Sequence, residues 1–136
     1  MFELEKMLCE ITGFERFTLQ PAAGAQGEIT GIMVIQAHFR KLKESRAKIL
    51  VTDSSHGTNP ASAALCGFHA IEVKSDARGN IDRADLRAKM GSDVAGLMLT
   101  NPSTLGLFEE NIVEVCKIVH EKGGLVYCDG ANMNAQ

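Results

Sequence analysis

Apolar positions along the chain change their spacing several times, and each change marks an element. In "FELEKMLCEIT", Leu4, Met7, Leu8 and Ile11 recur at helical spacing with charges elsewhere, which predicts an amphipathic helix. After Gly13, "RFTLQ" reads as a short strand over residues 16–20, and "PAAGAQGE" as a small-residue turn feeding a helix that runs to about Arg40. That helix carries "IMVIQAHF", apolar nearly all round, so it is expected to be buried. "KILVTD" predicts a strand, and "NPASAALCGF" a short helix with Asn59 as N-cap and Pro60 at its first position.

The alternation continues. "HAIEVKS" predicts a strand, "DARGN" a turn, and "RADLRAKM" a helix capped by Asp82, with Asp85 as a capping-box partner and Gly91 closing it. "VAGLMLT" is a strand apolar on both faces. In "EENIVEVCKIVHEKGG", Ile112, Val115, Cys116 and Val119 share one helical face; two acids open the helix and Gly123 ends it. "LVYCD" is the last strand. Apolar strands alternating with helices predict an α/β fold with a mostly parallel sheet flanked by helices.

Bulk properties remove other classes. The 136 residues are one domain by length, 1–136, with no internal repeat or linker, and carry a net charge of -3, which favours neither nucleic acid nor a membrane surface. No window reaches the ~18–20 apolar residues of a membrane span, and "MFELEKMLCE" has acids where a signal peptide has a basic end. A cytoplasmic protein is expected. Cys9, Cys66, Cys116 and Cys128 are scattered without metal-ligand spacing, so they read as buried free thiols, with neither a disulfide framework nor a metal site.

Parallel α/β sheets bind ligands beyond the carboxyl ends of their strands. Here those ends carry "TDSSHG", "TNPST" and "CDG". Gly24 to Gly27, with Ala25 and Gln26 between them, either form a simple tight turn or let a phosphate approach the helix amides; neither G-x-G-x-x-G nor a Walker loop is present. His56 is either an ordinary satisfied histidine or, beside Ser54, Ser55 and Thr58 at a strand end, a flat ring able to stack on a flat cofactor. His38, His69 and His120 lie inside helix or strand patterns and read as structural. Asn101 before Pro102 can simply terminate a strand. Asp129 follows an apolar strand with no positive residue near it in sequence, and a cationic ligand atom would satisfy it; Gly130 and Ala131 leave room there.

These groups resemble the large domain of fold-type I pyridoxal-phosphate enzymes. "RFTLQPAAGAQGE", "HGTNPASAA", "LMLTNPSTLGLFEENI" and "GGLVYCDGANMNA" resemble more specifically the pyridoxal-phosphate-bearing part of glycine dehydrogenase (decarboxylating), the P-protein of the glycine cleavage system, over essentially the whole chain. The resemblance implies that Asp129 pairs with the protonated pyridine nitrogen, His56 stacks on the ring, Asn101 sits near the phenolic oxygen, and Gly24, Ala25 and Gln26 lie near the phosphate, with Ala131 also among the cofactor-binding residues. It also implies glycine as substrate, transfer of its aminomethyl group to the lipoyl arm of H-protein, a second P-protein subunit or half as partner, and an oligomer.

One departure is large. The family's Schiff-base lysine lies downstream of the aspartate, whereas the last lysine here is Lys122 and none of the eight matches that motif. The chain is therefore expected to be a truncated piece, inactive alone, in which "RFTLQ" lacks the neighbouring strands it has in the family order. A rival expectation is a non-catalytic assembly or phosphate-binding fragment, and a third is another fold-type I enzyme such as an aminotransferase.

Overall fold

A computed structural model describes residues 1–133. Four strands, β1 (Lys48–Thr52), β2 (His69–Val73), β3 (Val94–Thr100) and β4 (Leu125–Asp129), form one parallel sheet in the order β2-β1-β3-β4. Five helices accompany them: α1 (Phe2–Thr12), α2 (Gly24–Leu42), α3 (Thr58–Leu65), α4 (Arg83–Lys89) and α5 (Ile112–Glu121).

Because every second residue of a strand points to the same face, the apolar strands feed two cores. Ile49, Val51, Ala95 and Met98 pack with Ile32, Ile35 and Phe39 of α2 and Ala63 of α3. Leu50, Val73, Leu97 and Leu99 pack with Leu86 of α4 and Val115, Ile118 and Val119 of α5 on the other side. The result is three layers, helices over a sheet over helices. β1 is followed by α3 on one face and β3 by α5 on the other, so the connections part company between these adjacent strands. A crevice opens there at the carboxyl ends.

Two glycines set the spacing around β4. A Cβ on Gly96 would lie 2.3 Å from the Leu125 carbonyl oxygen, and one on Gly31 would lie 2.6 Å from the Tyr127 ring. Neither position tolerates a side chain without moving β4 or its tyrosine.

Several expectations are corrected. Residues 16–20 form no strand: the Leu19 N–H donates to Glu5 Oε1 at 3.4 Å and the Gln20 N–H to Thr18 Oγ1 at 3.3 Å, so no sheet neighbour takes these donors. α2 is one-sided, with Met33 and Val34 exposed. α3 begins at Thr58 rather than after Asn59, which is fully buried inside it, and α5 begins at Ile112, beyond Glu109 and Glu110. Asp82 does cap α4, accepting from the Ala84 and Asp85 amides, but Asp85 closes no capping box: its carboxylate accepts from the Lys74 N–H at 2.9 Å and pairs with Lys89 at 2.6 Å. Of the cysteines, Cys128 is exposed and the other three are half-buried free thiols.

Candidate functional site

The crevice at the carboxyl ends holds about 510 Å³ and is built by three elements. The first is the start of α2. Ala23 occupies its N-cap position and no side chain caps it, so the first amides stay open at the positive end of a 19-residue helix. Cβ atoms at Gly24 and Gly27 would meet nothing within 4 Å, so the approach to those amides is clear. Gln26 faces away from the crevice: its side chain accepts the Ala22 N–H at 2.7 Å and so holds the preceding turn in shape.

The second element is the loop from β1 into α3. The His56 ring is exposed and lines the crevice. Its Nδ1 lies 2.9 Å from Thr58 Oγ1 and 3.2 Å from the Thr58 backbone nitrogen, so the ring is tethered to the first residue of α3. The Thr58 hydroxyl in turn donates to Glu28 Oε1 at 2.7 Å, and the Ser62 hydroxyl donates to Glu28 Oε2 at 2.8 Å. Glu28 is only 5% exposed and forms no ion pair among the described residues. Each oxygen of this buried carboxylate, which itself lines the crevice, therefore accepts one hydroxyl.

The third element is the end of β4. Tyr127 and Asp129, two residues apart, point to the same side and both line the crevice. Asp129 Oδ1 accepts the Ala131 N–H at 3.0 Å, which shapes the turn beyond the strand, and meets no cation among the described residues. Burial first, then the charges of Asp129, Glu28 and Cys128, push the Tyr127 phenol up to about 12, so it stays neutral and can donate a hydrogen bond. Thr100, Thr104 and Asn132 complete the wall.

Of the residues singled out in the sequence, Gly24, Ala25, His56, Asp129 and Ala131 meet around this one space, while Gln26 and Asn101 do not line it. Asn101 spends its amide oxygen on the Glu109 N–H at 3.0 Å, bracing the loop after β3. Asn59 is fully buried; its amide nitrogen reaches Thr100 Oγ1 at 3.5 Å and its Oδ1 has no partner among the described residues. His38, His69 and His120 are exposed and line no part of the crevice, and no lysine lines it. A separate apolar groove on the outside of α5 shares no residue with these groups.

Glu28, Ser62 and Tyr127 escaped the sequence reading, and Thr58 entered it only as a neighbour of His56. Tyr127 was within reach, because the period of two that places Asp129 at the rim places Tyr127 beside it. Glu28 was not, since its partners lie 30 and 34 residues away and nothing in the spacing joins them.

The donor set suits a flat, anionic, nitrogen-bearing cofactor: open helix amides for a phosphate, a ring for stacking, and an unpaired carboxylate for a protonated nitrogen. The fold is a parallel α/β sheet with helices on both faces, and these donors gather at the carboxyl ends of its strands. Solved structures share the fold. Mouse CSAD aligns with a TM-score of 0.75 at 19% identity, over 96% of this chain and 31% of that one. A sphingosine-1-phosphate lyase from Burkholderia pseudomallei aligns at 0.72 and 18% over 79% and 25%, and the aspartate aminotransferase of Thermus thermophilus at 0.69 and 13% over 93% and 33%.

Curated relatives narrow the class. The chain is 64% identical to the probable glycine dehydrogenase (decarboxylating) subunit 2 of Caldanaerobacter subterraneus and 61% identical to that of Desulforamulus reducens, in each case over 99% of this chain. The same subunit of Thermococcus onnurineus is 57% identical. The chain is thus similar along nearly its whole length to glycine dehydrogenase (decarboxylating) subunit 2, as its motifs led us to expect, and it spans about 28% of the length of these relatives. No family model matches the chain. Among the described residues no helix is long and apolar enough to cross a membrane, and no cluster of candidate metal ligands occurs.

Proposed function

We propose that the chain forms part of the pyridoxal-phosphate site of a glycine dehydrogenase (decarboxylating), which takes CO2 from glycine and passes the aminomethyl group to the lipoyl arm of H-protein, working with a companion P-protein subunit. The observation that carries this reading is the convergence of an uncapped helix start, an exposed ring and an unpaired carboxylate on one 510 Å³ crevice. The Gly24 and Ala25 amides receive the phosphate, His56 covers one face of the cofactor ring, and Asp129 holds a proton on the pyridine nitrogen by opposing its charge. Gly130 and Ala131 keep the approach to that nitrogen open. When bound, the cofactor supplies the electron sink that lets an amino acid lose its carboxylate as CO2. The lysine that such chemistry needs comes from the part of the relatives' length outside this segment.

Asp129→Asn tests the reading because it keeps size and removes charge. In the full protein with its companion subunit and lipoylated H-protein, exchange of labelled bicarbonate into glycine is expected to fall about a hundredfold, equivalent to ~3 kcal/mol of transition-state stabilisation. Cofactor is expected to remain bound. Exchange within about twofold of the parent rate, with cofactor bound, would remove Asp129 from the role. A module that only binds phosphate would show no exchange in either protein and would prefer pyridoxal phosphate to inorganic phosphate by little.

A further inference from the structure

Tyr127 brings to the crevice a hydroxyl that no described residue uses. Its ring packs against the core shared by α2, α3 and that face of the sheet, and the residue lines the crevice beside Asp129. The hydroxyl has no hydrogen-bond partner among the described residues, and its oxygen is not sealed in the core as Asn59 Oδ1 is. A half-buried tyrosine ordinarily finds a partner for its O–H, and phenylalanine would fill the same space with nothing to satisfy. Burial, and after it the neighbouring acidic groups, push the phenol up to about 12, so at neutral pH the oxygen keeps its hydrogen and can donate it.

Gly31 supplies an independent observation. It lies inside α2, away from either end, and its φ is outside the left-handed region, so no turn or cap requires a glycine. Glycine is unfavourable relative to alanine at such a position. What the site lacks is room: a Cβ would stand 2.6 Å from Tyr127 Cε2 and 2.7 Å from Cδ2, well inside ordinary contact distance. The helix therefore gives up a better residue to let this ring lie against its backbone. We propose that Tyr127 is a ligand-binding residue of the crevice, its ring seated on α2 by Gly31 and its hydroxyl donating to an oxygen of the bound ligand. Gly31 does not itself line the crevice and is a positioning residue that acts through the ring. A phenol adds a donor there without adding charge beside the carboxyl groups of Glu28 and Asp129. That the ligand is pyridoxal phosphate rests on the reading given under Proposed function.

The test titrates pyridoxal phosphate into the full protein with its companion subunit and follows thermal unfolding without cofactor. Tyr127→Phe keeps the ring and removes the donor; it is expected to unfold as the parent does and to bind at least about threefold more weakly, the worth of one hydrogen bond. Gly31→Ala, which raises Tm where a helix has room, is expected to lower it here and to weaken binding at least about threefold as the ring is displaced. Adding Tyr127→Phe to Gly31→Ala is expected to cost less than about twofold more, because the displaced hydroxyl has already lost its contact. Pairing Gly31→Ala with Tyr127→Leu is expected to recover Tm and not affinity. A loss below about threefold in Tyr127→Phe overturns the ligand contact; a Gly31→Ala protein as stable as the parent, or effects of the two substitutions that simply multiply, overturns the seat. If Gly31→Ala does not fold, Tyr127→Phe still decides. Failure of the parent itself to bind pyridoxal phosphate would bring down the functional reading and this contact with it, whereas a parent that binds beside an unimpaired Tyr127→Phe removes the contact alone.

Discussion

The two faces of the sheet are built to different rules. α4 and α5 bury only apolar side chains, Leu86 from the first and Val115, Ile118 and Val119 from the second. Their polar groups stay outside, in a side-chain cap at Asp82 and in ion pairs from Arg83 and Arg87 to Glu114 and from Lys89 to Asp85. α2 and α3, on the opposite face, bury Glu28, Asn59 and Ser62 along with their apolar residues. All three lie within the first five residues of these helices, and neither helix has a side-chain cap. One face buries no polar side chain from its helices; the other, among the described residues, leaves the first amides of α2 open, a buried carboxylate without a cation, and an amide oxygen without a partner. The departures cluster where a ligand would sit, so α4 and α5 are read as support and α2 and α3 as the binding side.

The largest expected effect comes from the supporting face. Leu86 is fully buried, and Leu86→Ala is expected to cost about 2–5 kcal/mol in denaturant unfolding. Because it lies away from the crevice, pyridoxal-phosphate affinity under folding conditions is expected to stay within about twofold. Loss of affinity without loss of stability would erase the distinction between the faces.

The opposite experiment replaces the buried polar trio together, Glu28→Leu with Thr58→Val and Ser62→Ala. Removing a buried charge along with both its partners leaves nothing unsatisfied, so stability is expected to be unchanged or higher, within about 1–2 kcal/mol. Cofactor affinity is expected to fall about tenfold as His56 loses its tether. A triple variant that fails to fold would show that the trio is part of the scaffold.

Smaller still is the α4 cap. Asp82→Ala removes the acceptor for the Ala84 and Asp85 amides and is expected to cost ~1 kcal/mol by thermal unfolding, with no change at the crevice.

The sequence discloses the supporting face more fully than the binding face. Asp82 is legible as a cap, and the Ile112, Val115 and Val119 stripe as a buried helix face, because caps and periodicity are local. The rim is legible too, since Asp129 and His56 each close a strand pattern. What stays hidden is whatever is assembled across the fold. Glu28 reads as an ordinary helix residue until α3 brings Thr58 and Ser62 to it, and "RFTLQ" has the alternation of a strand but no neighbour to pair with. Asn59 looks like a cap by residue type and lies one position inside the helix that burial sets.

The smallest expected effect is in pH dependence. The Lys74 N–H first, and then the Lys89 ammonium, hold the Asp85 carboxyl below the usual carboxylate range. The unfolded chain therefore binds this proton more readily than the folded one. The contribution is present above the unfolded value of about 4 and is lost as pH falls through the folded value. Asp85→Asn is expected to flatten part of the acid limb of the stability curve and leave the neutral region nearly unchanged; an identical acid limb would mean that the two bonds do not survive in solution.

The central claim, that one end of the α2 and α3 face is the ligand site, is tested most directly by amide hydrogen exchange in the full protein with and without pyridoxal phosphate. Protection is expected at residues 24–27, 56–59 and 129–131, with α4 and α5 unchanged. Protection confined to α5, whose outer side carries the separate groove, or no protection at any of the three rim segments at saturating cofactor, would contradict it.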